Sequence, residues 1–462
     1  MNSNGLPGAS TSSARTERRK PRLTDSISHP LLLLAAILLA YANALLWGAF
    51  QFDDYNVIVG EPRVHTWAAW WADIGNGIRP LLKLSYTLDW TSGAGAVLPF
   101  HLTNLAIHCA NALLVLNLSR RYAESQPRLR DAAAPIALSA ALLFALHPIH
   151  TEAVSYVSGR SASLMTMFYL LGLLAYATGC KRSPSPPSGE RGPRGKHQTS
   201  GAPPTTAPRS LTLSPEGRGN RPSLQLHLLV PLCFLLALAV KETAVTFPFA
   251  LLLWELLIRH DDAATVRPEL VEGLRQACPE HRRRAQPARN VHLYRAGSTG
   301  NGGTLKRALR RQCSSWLLLA VVALYFLGHP GYAAHLERSA MFNSPAGNLA
   351  NAALGTDWLL RQWLAPFWLN IDPDLPVRHA IDSAALPALL LLLALAATTF
   401  MTRRRRPWLA FALAWLLLQL VPLHLVLPRL DIANERQMLL AGWPLALAVA
   451  AELALRLAAH PA

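Results

Sequence analysis

The sequence predicts an all-α polytopic membrane protein, and three observations support that fold class. Apolar residues make up 51% of the 462 residues, whereas charged residues make up 15%, well below the roughly 25% of a soluble domain. The apolar residues cluster into runs that approach the about 20 residues with which a helix crosses a bilayer. Basic residues concentrate between those runs, as orientation signals do. The net charge of +17 therefore indicates cytoplasmic loops, and we expect no nucleic-acid partner.

Composition divides the chain into membrane-embedded and polar parts. Residues 1–29 are basic and rich in Ser, Gly and Pro, which predicts a disordered cytoplasmic N-terminus. No small-residue cleavage site follows the first apolar run, so we interpret that run as a retained span. The polar interruptions are a disordered cytoplasmic insertion at 181–222 and a basic cytoplasmic loop at 259–312. The membrane parts are 31–180 with spans one to four, 223–258 with spans five and six, and 313–456 with spans seven to ten.

About ten spans (nine to eleven) are predicted in total. They cover approximately 31–50, 100–118, 133–147, 161–179, 223–240, 243–258, 314–329, 385–401, 408–427 and 438–456. The long first outer loop, 51–99, contains a short amphipathic helix at Arg79–Trp90 that would lie on the membrane. A second amphipathic stretch, Trp358–Leu369, either lies on the membrane or dips into it. Whether the number of spans is odd or even, and on which side the C-terminus lies, therefore stays open.

This topology places a carboxylate at every outward junction, usually with a cation nearby. The acids are Asp53, Asp54, Glu152, Glu242, Asp372, Asp374, Asp431 and Glu435, and the cations are Arg79, Lys83, Arg160, Lys241, Arg361 and Arg436. Ordinary solvated loop charge is the simpler interpretation. Against it, the loops at His147–Arg160 and Lys241–Glu242 are very short. Charges there stay close to the bilayer, where desolvation is costly unless they are paired or functional.

A cleft that contains both acids and bases suits a substrate that is part lipid phosphate and part polar acceptor. Arg and Lys would bind the phosphate, and a carboxylate would take the proton of an attacking hydroxyl as general base. Adjacent helical residues face different ways, so one of Asp53 and Asp54 would be the base and the other would cap or orient. A divalent cation, Mg or Mn, bound by this pair is an open alternative, although none is obligatory because a neutralised phosphate leaves readily.

Histidines follow the same junctions, but the sequence favours other roles than metal binding. His147, His150 and Glu152 could suggest zinc. Pro148 prevents a regular helix face there, so we expect His147 to end the helix and His150 to bind substrate or water. His101, Asn104 and His108 recur at helical spacing on one face of span two. They either line the cleft or form hydrogen bonds between helices.

A series of motifs then resembles a known family. They are FDDYNVIV, RPLLKLSYTLDW, FHLTNLAIH, ALHPIHTEAVSYVSGRSASL, KETAVTFP, LLRQWLAPFWLNIDPDLPV and LVPLHLVLPRLDIANERQML. Their order resembles the membrane half of the transmembrane and tetratricopeptide-repeat O-mannosyltransferases and their bacterial relatives, in the GT-C glycosyltransferase superfamily. The resemblance runs from about 31 to 445 outside the two basic segments. The sequence shows no 34-residue repeat period, so the repeats of the family are expected to be lacking.

The resemblance implies a GT-C-like helical bundle and a polyprenyl-phosphate sugar donor. It also implies transfer to a protein or glycan hydroxyl on the periplasmic face of the bacterial inner membrane, with Asp53 and Asp54 as the acidic motif. From the cleft chemistry, the expected donor-phosphate and substrate residues are Arg79, His147, Glu152, Arg160, Lys241, Glu242, Asp372, Glu435 and Arg436. Glu435-Arg436-Gln437 departs from the family pattern of a His or Arg followed by a Tyr. The alternatives are a lipid or small-solute transporter or flippase, which internal repeats would favour, and an inactive scaffold.

Overall fold

The described part of the chain is helical, as the sequence predicts. The computed structural model describes residues 23–75, 78–180, 225–258, 301–328, 344–371, 373–426 and 432–459. No β-strand occurs within these ranges. The predicted disordered segment 181–222 and residues 1–22 lie outside the described residues, as does most of the basic segment 259–312. Residues 23–29, which were expected to be disordered, form the start of the first helix.

The α-helices follow the apolar runs of the sequence closely. The first half of the chain contains α1 (Leu23–Trp47), α2 (Trp67–Asp73), α3 (Pro80–Gly93), α4 (Leu98–Ser125), α5 (Ala133–Leu146), α6 (Thr151–Val154) and α7 (Arg160–Gly179). The second half contains α8 (Val230–Val240), α9 (Phe247–Ile258), α10 (Asn301–Arg311), α11 (Cys313–Gly328), α12 (Pro345–Leu364), α13 (Leu386–Thr402), α14 (Pro407–Val426), α15 (Met438–Ala441) and α16 (Trp443–Ala459).

Three of the described helices are long and apolar enough to cross a membrane, at Ile27–Trp47, Leu98–Ser125 and Val157–Gly179. Two bent helix pairs, Arg130–Leu146 with Pro148–Val154 and Glu435–Ala441 with Trp443–Ala459, raise the number to five if each pair is a single span. Four shorter apolar helices accompany them. The chain is therefore an all-α membrane protein, and the count of about ten spans stays a prediction.

The bundle is built around α4, α5 and α14. Helix α4 packs against α5 and α7, α5 packs against α16, and α14 contacts α9, α12, α13 and α16. Small buried side chains such as Ala137, Ala140 and Ala141 line one side of α5. Such residues let helix backbones approach closely inside a membrane. Around α14, Phe411 and Trp415 form edge contacts with Trp443 of α16, which fixes the position of the last helix.

Two helices differ from the pattern read from the sequence. Residues Pro345–Leu364 form one 20-residue helix, whereas the amphipathic stretch was expected to begin only at Trp358. The first half of this helix is rich in Ala, Gly and Asn, so it has little amphipathic signal although it is buried by α14. The basic segment 259–312 ends in helix α10 rather than in loop, because its Leu, Lys and Arg residues are strong helix formers.

The predicted outward junctions gather at one end of the bundle. There α1, α5 and α8 end and α4, α7 and α15 begin. Contacts between junctions that are distant in sequence join them: Asp54 to Ser158, Glu152 to Arg436, and Arg79 to Glu242. This end of the molecule therefore positions the candidate site.

Candidate active site

A cavity of about 400 Å³ opens at this end of the bundle. Its charged lining residues are Asp53, Glu152, Asp374 and Arg436. The remaining lining residues are Phe52, Tyr156, Ile371, Pro373, Leu375, Ile432, Ala433 and Asn434. Three carboxylates, one guanidinium and a wall of apolar side chains suit a polar reaction on an amphipathic substrate. We refer to this space as the acidic cavity.

Asp53 presents its side chain at the surface of the acidic cavity. Helix α1 ends at Trp47, and the chain then turns through Phe52, whose φ of 41° lies in the left-handed region. The Asp53 backbone N–H donates a hydrogen bond of 2.9 Å to the Tyr156 hydroxyl, which fixes this segment against the loop before α7. The Asp53 carboxylate is exposed, so it can meet a substrate that enters the cavity.

Asp54 faces the opposite way and is fully buried. One carboxylate oxygen accepts the Gln51 N–H at 2.9 Å, and the other accepts the Ser158 N–H at 2.8 Å. Burial raises the pKa of Asp54, although the N–H groups of Gln51 and Ser158 oppose that rise. The geometry therefore favours Asp53 as the general base and Asp54 as the residue that holds its segment in place.

Glu152 and Arg436 form an ion pair in the wall of the acidic cavity. Glu152 accepts the Arg436 backbone N–H at 2.7 Å, and its second oxygen lies 3.4 Å from Nε of Arg436. The neighbouring Glu435 points elsewhere and accepts hydrogen bonds from the Asn370 N–H at 2.5 Å and from Gln362 at 3.2 Å. Glu435 thereby anchors the segment that carries the lining residues from 371 to 375.

A small cavity of about 40 Å³ adjoins the acidic cavity at Arg436. Its other polar lining residues are Lys241, His424, Gln419, Thr166, Thr243 and Gln437. Within the described chain, the hydroxyls of Thr166 and Thr243 and the amide nitrogen of Gln437 have no hydrogen-bond partner. Two cationic side chains and several donors around a small space suit an anion. We refer to this space as the cationic cavity.

Arg79 and Glu242 pair with each other and do not line either cavity. Arg79 Nε and Nη2 donate hydrogen bonds of 3.0 and 2.5 Å to the two carboxylate oxygens. Burial alone would raise the pKa of Glu242, but the hydrogen bonds and charge of Arg79 lower it to about 2. This pair joins the start of α3 to the turn between α8 and α9, so its role in the described structure is to fix the first loop.

Arg160, the first residue of α7, is fully buried and binds two other helices, α3 and α4. Its guanidinium donates to Asn104 Oδ1 at 2.6 Å, to the Phe100 carbonyl at 2.9 Å and to the Ser85 carbonyl at 3.1 Å. Its Nη1 lies 2.6 Å from Asp89 Oδ2. That contact is ionic rather than an aligned hydrogen bond, since Asp89 Oδ2 has no hydrogen-bond donor directed at it. The structure thus places Arg160 between α3, α4 and α7, away from the cavities.

The histidines have structural partners at the positions considered for zinc. His147 ends α5, contacts the Trp363 carbonyl at 2.9 Å and stacks on the Trp363 ring. His150 lies buried between Phe144 and His147. Among the described residues, no group of three or more His, Cys, Asp or Glu side chains could hold a metal ion.

On α4, two of the three polar residues at helical spacing form hydrogen bonds between helices, whereas neither ring nitrogen of His101 has a hydrogen-bond partner among the described residues. Asn104 donates to the carbonyls of Val154 and Tyr156 at 3.2 Å, and His108 contacts the Ala145 carbonyl at 3.0 Å.

Of the predicted junction acids, Asp372 and Asp431 lie outside the described residues. Tyr156 and His424 were not singled out from the sequence, although His424 gave a signal as a polar residue in an apolar helix.

Comparison with known proteins identifies relatives over about a third of the chain. The chain is 34% identical over 151 residues to the Drosophila melanogaster protein O-mannosyl-transferase Tmtc2, covering 29% of this chain and 15% of the relative. It is 30% identical over 177 residues to Drosophila Tmtc1, covering 34% of this chain and 20% of the relative. It is 27% identical over 159 residues to human TMTC3, covering 31% and 16%.

These matches therefore span a fifth or less of the relatives' own length. No family model matches the chain, and no solved structure matches it. The resemblance expected from the motifs is confirmed at this level: about a third of the chain is similar to the curated protein O-mannosyl-transferases.

Proposed function

We propose that this chain is an integral membrane glycosyltransferase. It would move a sugar from a polyprenyl-phosphate donor to a hydroxyl of a protein or glycan acceptor at the periplasmic face of the inner (plasma) membrane. The observation that carries the proposal is the junction of the two cavities at Arg436, which puts exposed Asp53 on one side and Lys241 on the other. The relatives' names support a transferase that uses mannose and a protein acceptor.

The reaction divides between the two cavities. In the acidic cavity, the Asp53 carboxylate takes the proton of the acceptor hydroxyl as its oxygen attacks the anomeric carbon. The bond from that carbon to the phosphate oxygen breaks, and the electron pair leaves with the polyprenyl phosphate. Arg436 and Lys241 neutralise the charge that develops on the phosphate, which is a large contribution when the cations are held in place before the reaction.

The supporting residues act through the cavity walls. Glu152 holds Arg436 by two contacts, and Asp54 holds the segment of Asp53. Because Asp54 is fully buried and Asp53 is exposed at the acidic cavity, Asp53 is the member of this pair that a divalent cation in the cavity would meet. We therefore assign the acidic pair to proton transfer and positioning, and Mg or Mn is an additional ligand to test by chelation.

The proposal is tested with the purified full chain in proteoliposomes. The donors are radiolabelled polyprenyl-phosphate mannose, the same lipid with glucose, and a nucleotide-linked mannose. Label transferred to a hydroxylated peptide or glycan from the polyprenyl donor alone supports the proposal. Transfer from the nucleotide sugar, or movement of a fluorescent lipid donor across the bilayer without any transfer, would contradict it, and the second outcome would identify a flippase.

A further inference from the structure

A third cavity, of about 440 Å³, lies on the other face of the segment that carries Asp53. It is bounded by the end of α1, the start of α4 and the turn after α5. Its lining includes Tyr41, Asn43, Trp47, Gln51, His101, Thr151 and Ser155, together with several small and apolar residues. We refer to it as the neutral cavity, because no Asp, Glu, Lys or Arg lines it.

The neutral cavity and the acidic cavity share one wall. Two chain segments form that wall, residues 51–53 and 151–156, and neighbouring residues along each segment line opposite cavities. Gln51, Thr151 and Ser155 line the neutral cavity, whereas Asp53, Glu152 and Tyr156 line the acidic cavity. The Asp54 carboxylate holds the wall together through the N–H groups of Gln51 and Ser158.

The side chains of the neutral cavity match uncharged hydroxyl groups. Asn43 and Gln51 each supply an amide donor and acceptor, and Thr151 and Ser155 each supply a hydroxyl. Trp47 supplies an aromatic ring and is 80% exposed. Since these groups both donate and accept hydrogen bonds but carry no charge, they suit a polyhydroxylated ligand better than a phosphate or a carboxylate.

His101 gives independent evidence for a ligand. The side chain lines the neutral cavity and is only 4% exposed, yet neither ring nitrogen has a hydrogen-bond partner within the described chain. Gly48 makes room for the ring, because a Cβ at that position would lie 2.2 Å from His101 Nε2. A buried polar group without a partner is costly, and a hydroxyl of a bound ligand would supply the missing hydrogen bond.

We propose that the neutral cavity binds an uncharged, hydroxyl-rich group, either the sugar or glycerol headgroup of a membrane lipid or a free hexose. The exposed indole of Trp47 at the end of the apolar helix α1 favours the lipid source, since Trp residues sit at membrane interfaces. This site is separate from the acidic and cationic cavities, and its occupancy is measured by binding. The inference therefore does not depend on sugar transfer.

The test measures binding to the full chain in detergent by native mass spectrometry and by thermal shift. The probes are a neutral diglucosyl diacylglycerol, an anionic phosphatidylglycerol with the same acyl chains, and methyl mannoside. Saturable binding of the neutral glycolipid, at least ten-fold tighter than that of the anionic lipid, is expected. Competition by methyl mannoside would assign the site to a free sugar, which also supports the proposal.

Variants locate the ligand. His101→Phe and Asn43→Leu should each weaken glycolipid binding at least ten-fold, and the exposed position of Asn43 makes its substitution harmless to folding. His29→Phe, near the other end of α1, is the matched control and should bind like the wild type. Equal binding of both lipids, or wild-type affinity in both cavity variants, would overturn the proposal.

Discussion

Arg160 provides the sharpest stability prediction, because the sequence and the structure suggest different roles for it. From its place beside an outward junction, Arg160 was expected to bind the donor phosphate. In the structure its guanidinium is fully buried and holds Asp89, Asn104 and two backbone carbonyls. It also lies over the rings of Tyr86 and Phe100. Replacement of Arg160 by Met should therefore destabilise the bundle more than it affects donor affinity.

The size of the effect follows from what the substitution leaves behind. Asp89 is 4% exposed, and in Arg160→Met its charge keeps only the hydrogen bond from Thr103. Removing one partner of a buried ion pair costs about 3–5 kcal/mol. The unfolding entropy scales with chain length, so for 462 residues each kcal/mol corresponds to about 1 °C, and the Tm should fall by about 3–5 °C. The double variant Arg160→Met with Asp89→Asn should recover part of that loss, since it removes the uncompensated charge.

The assay is thermal unfolding of detergent-solubilised protein, monitored by size-exclusion chromatography of the heated samples. It compares the wild type, Arg160→Met, the double variant and Arg160→Lys. Arg160→Lys should fall between the wild type and Arg160→Met, because one ammonium group cannot reach all the partners of the guanidinium. A wild-type Tm in Arg160→Met together with a ten-fold higher donor KM would refute this reasoning. It would return Arg160 to phosphate binding.

Three further predictions concern residues that hold the cavity walls and the first loop in place. Asp54→Asn should lower the Tm and slow transfer, because the new amide group faces a buried N–H, at a cost of about 1–3 kcal/mol; transfer at the wild-type rate would contradict the positioning role. Since the pKa of Glu242 is lowered to about 2 by Arg79, that pair should stabilise the fold fully above about pH 4.5 and lose this contribution as the pH falls toward 2. Thermal scans from pH 6 to pH 2.5 should show the loss in the wild type and not in Glu242→Gln. Glu152→Gln should raise the donor KM several-fold through a looser Arg436 and lower the Tm less than Arg160→Met does, because the substituted amide keeps one acceptor oxygen for the Arg436 N–H.

The transfer rate at acidic pH tests the role of Asp54 in the wall between the acidic and neutral cavities. Burial raises the pKa of Asp54 above its ordinary value of 3.8, and protonation would weaken the hydrogen bond from the Gln51 or Ser158 N–H. As the pH falls through that raised pKa, the rate of transfer in the wild type should fall. If Asp54→Asn and the wild type showed the same acid limb, Asp54 would not be its cause.

The sequence predicted the gathering of charge at one end of the bundle, because helix ends and the sign of the loops follow from composition. It placed Asp53, Glu152 and Arg436 at junctions, and the structure brings these three to one cavity. It left open which of Asp53 and Asp54 faces that cavity. The answer depends on the left-handed turn at Phe52, and nothing in the local sequence requires that turn.

The roles of the remaining cations could not be read from the sequence, because their partners are distant in the chain. Arg79 pairs with a carboxylate 163 residues away, and Arg160 pairs with Asp89 across two helices. An arginine next to a junction has the same local signal whether it binds phosphate or joins helices. The neutral cavity was missed for a similar reason, since its residues come from three separate segments and carry no charge.

The measurement that tests the central claim most directly is the initial rate of sugar transfer from polyprenyl-phosphate mannose by Asp53→Asn. The matched control is Asp131→Asn, an exposed aspartate in the turn before α5. If Asp53 is the general base, its variant should keep the wild-type Tm and lose about 100-fold or more in rate, while the control keeps both. Transfer by Asp53→Asn at the wild-type rate would contradict the account.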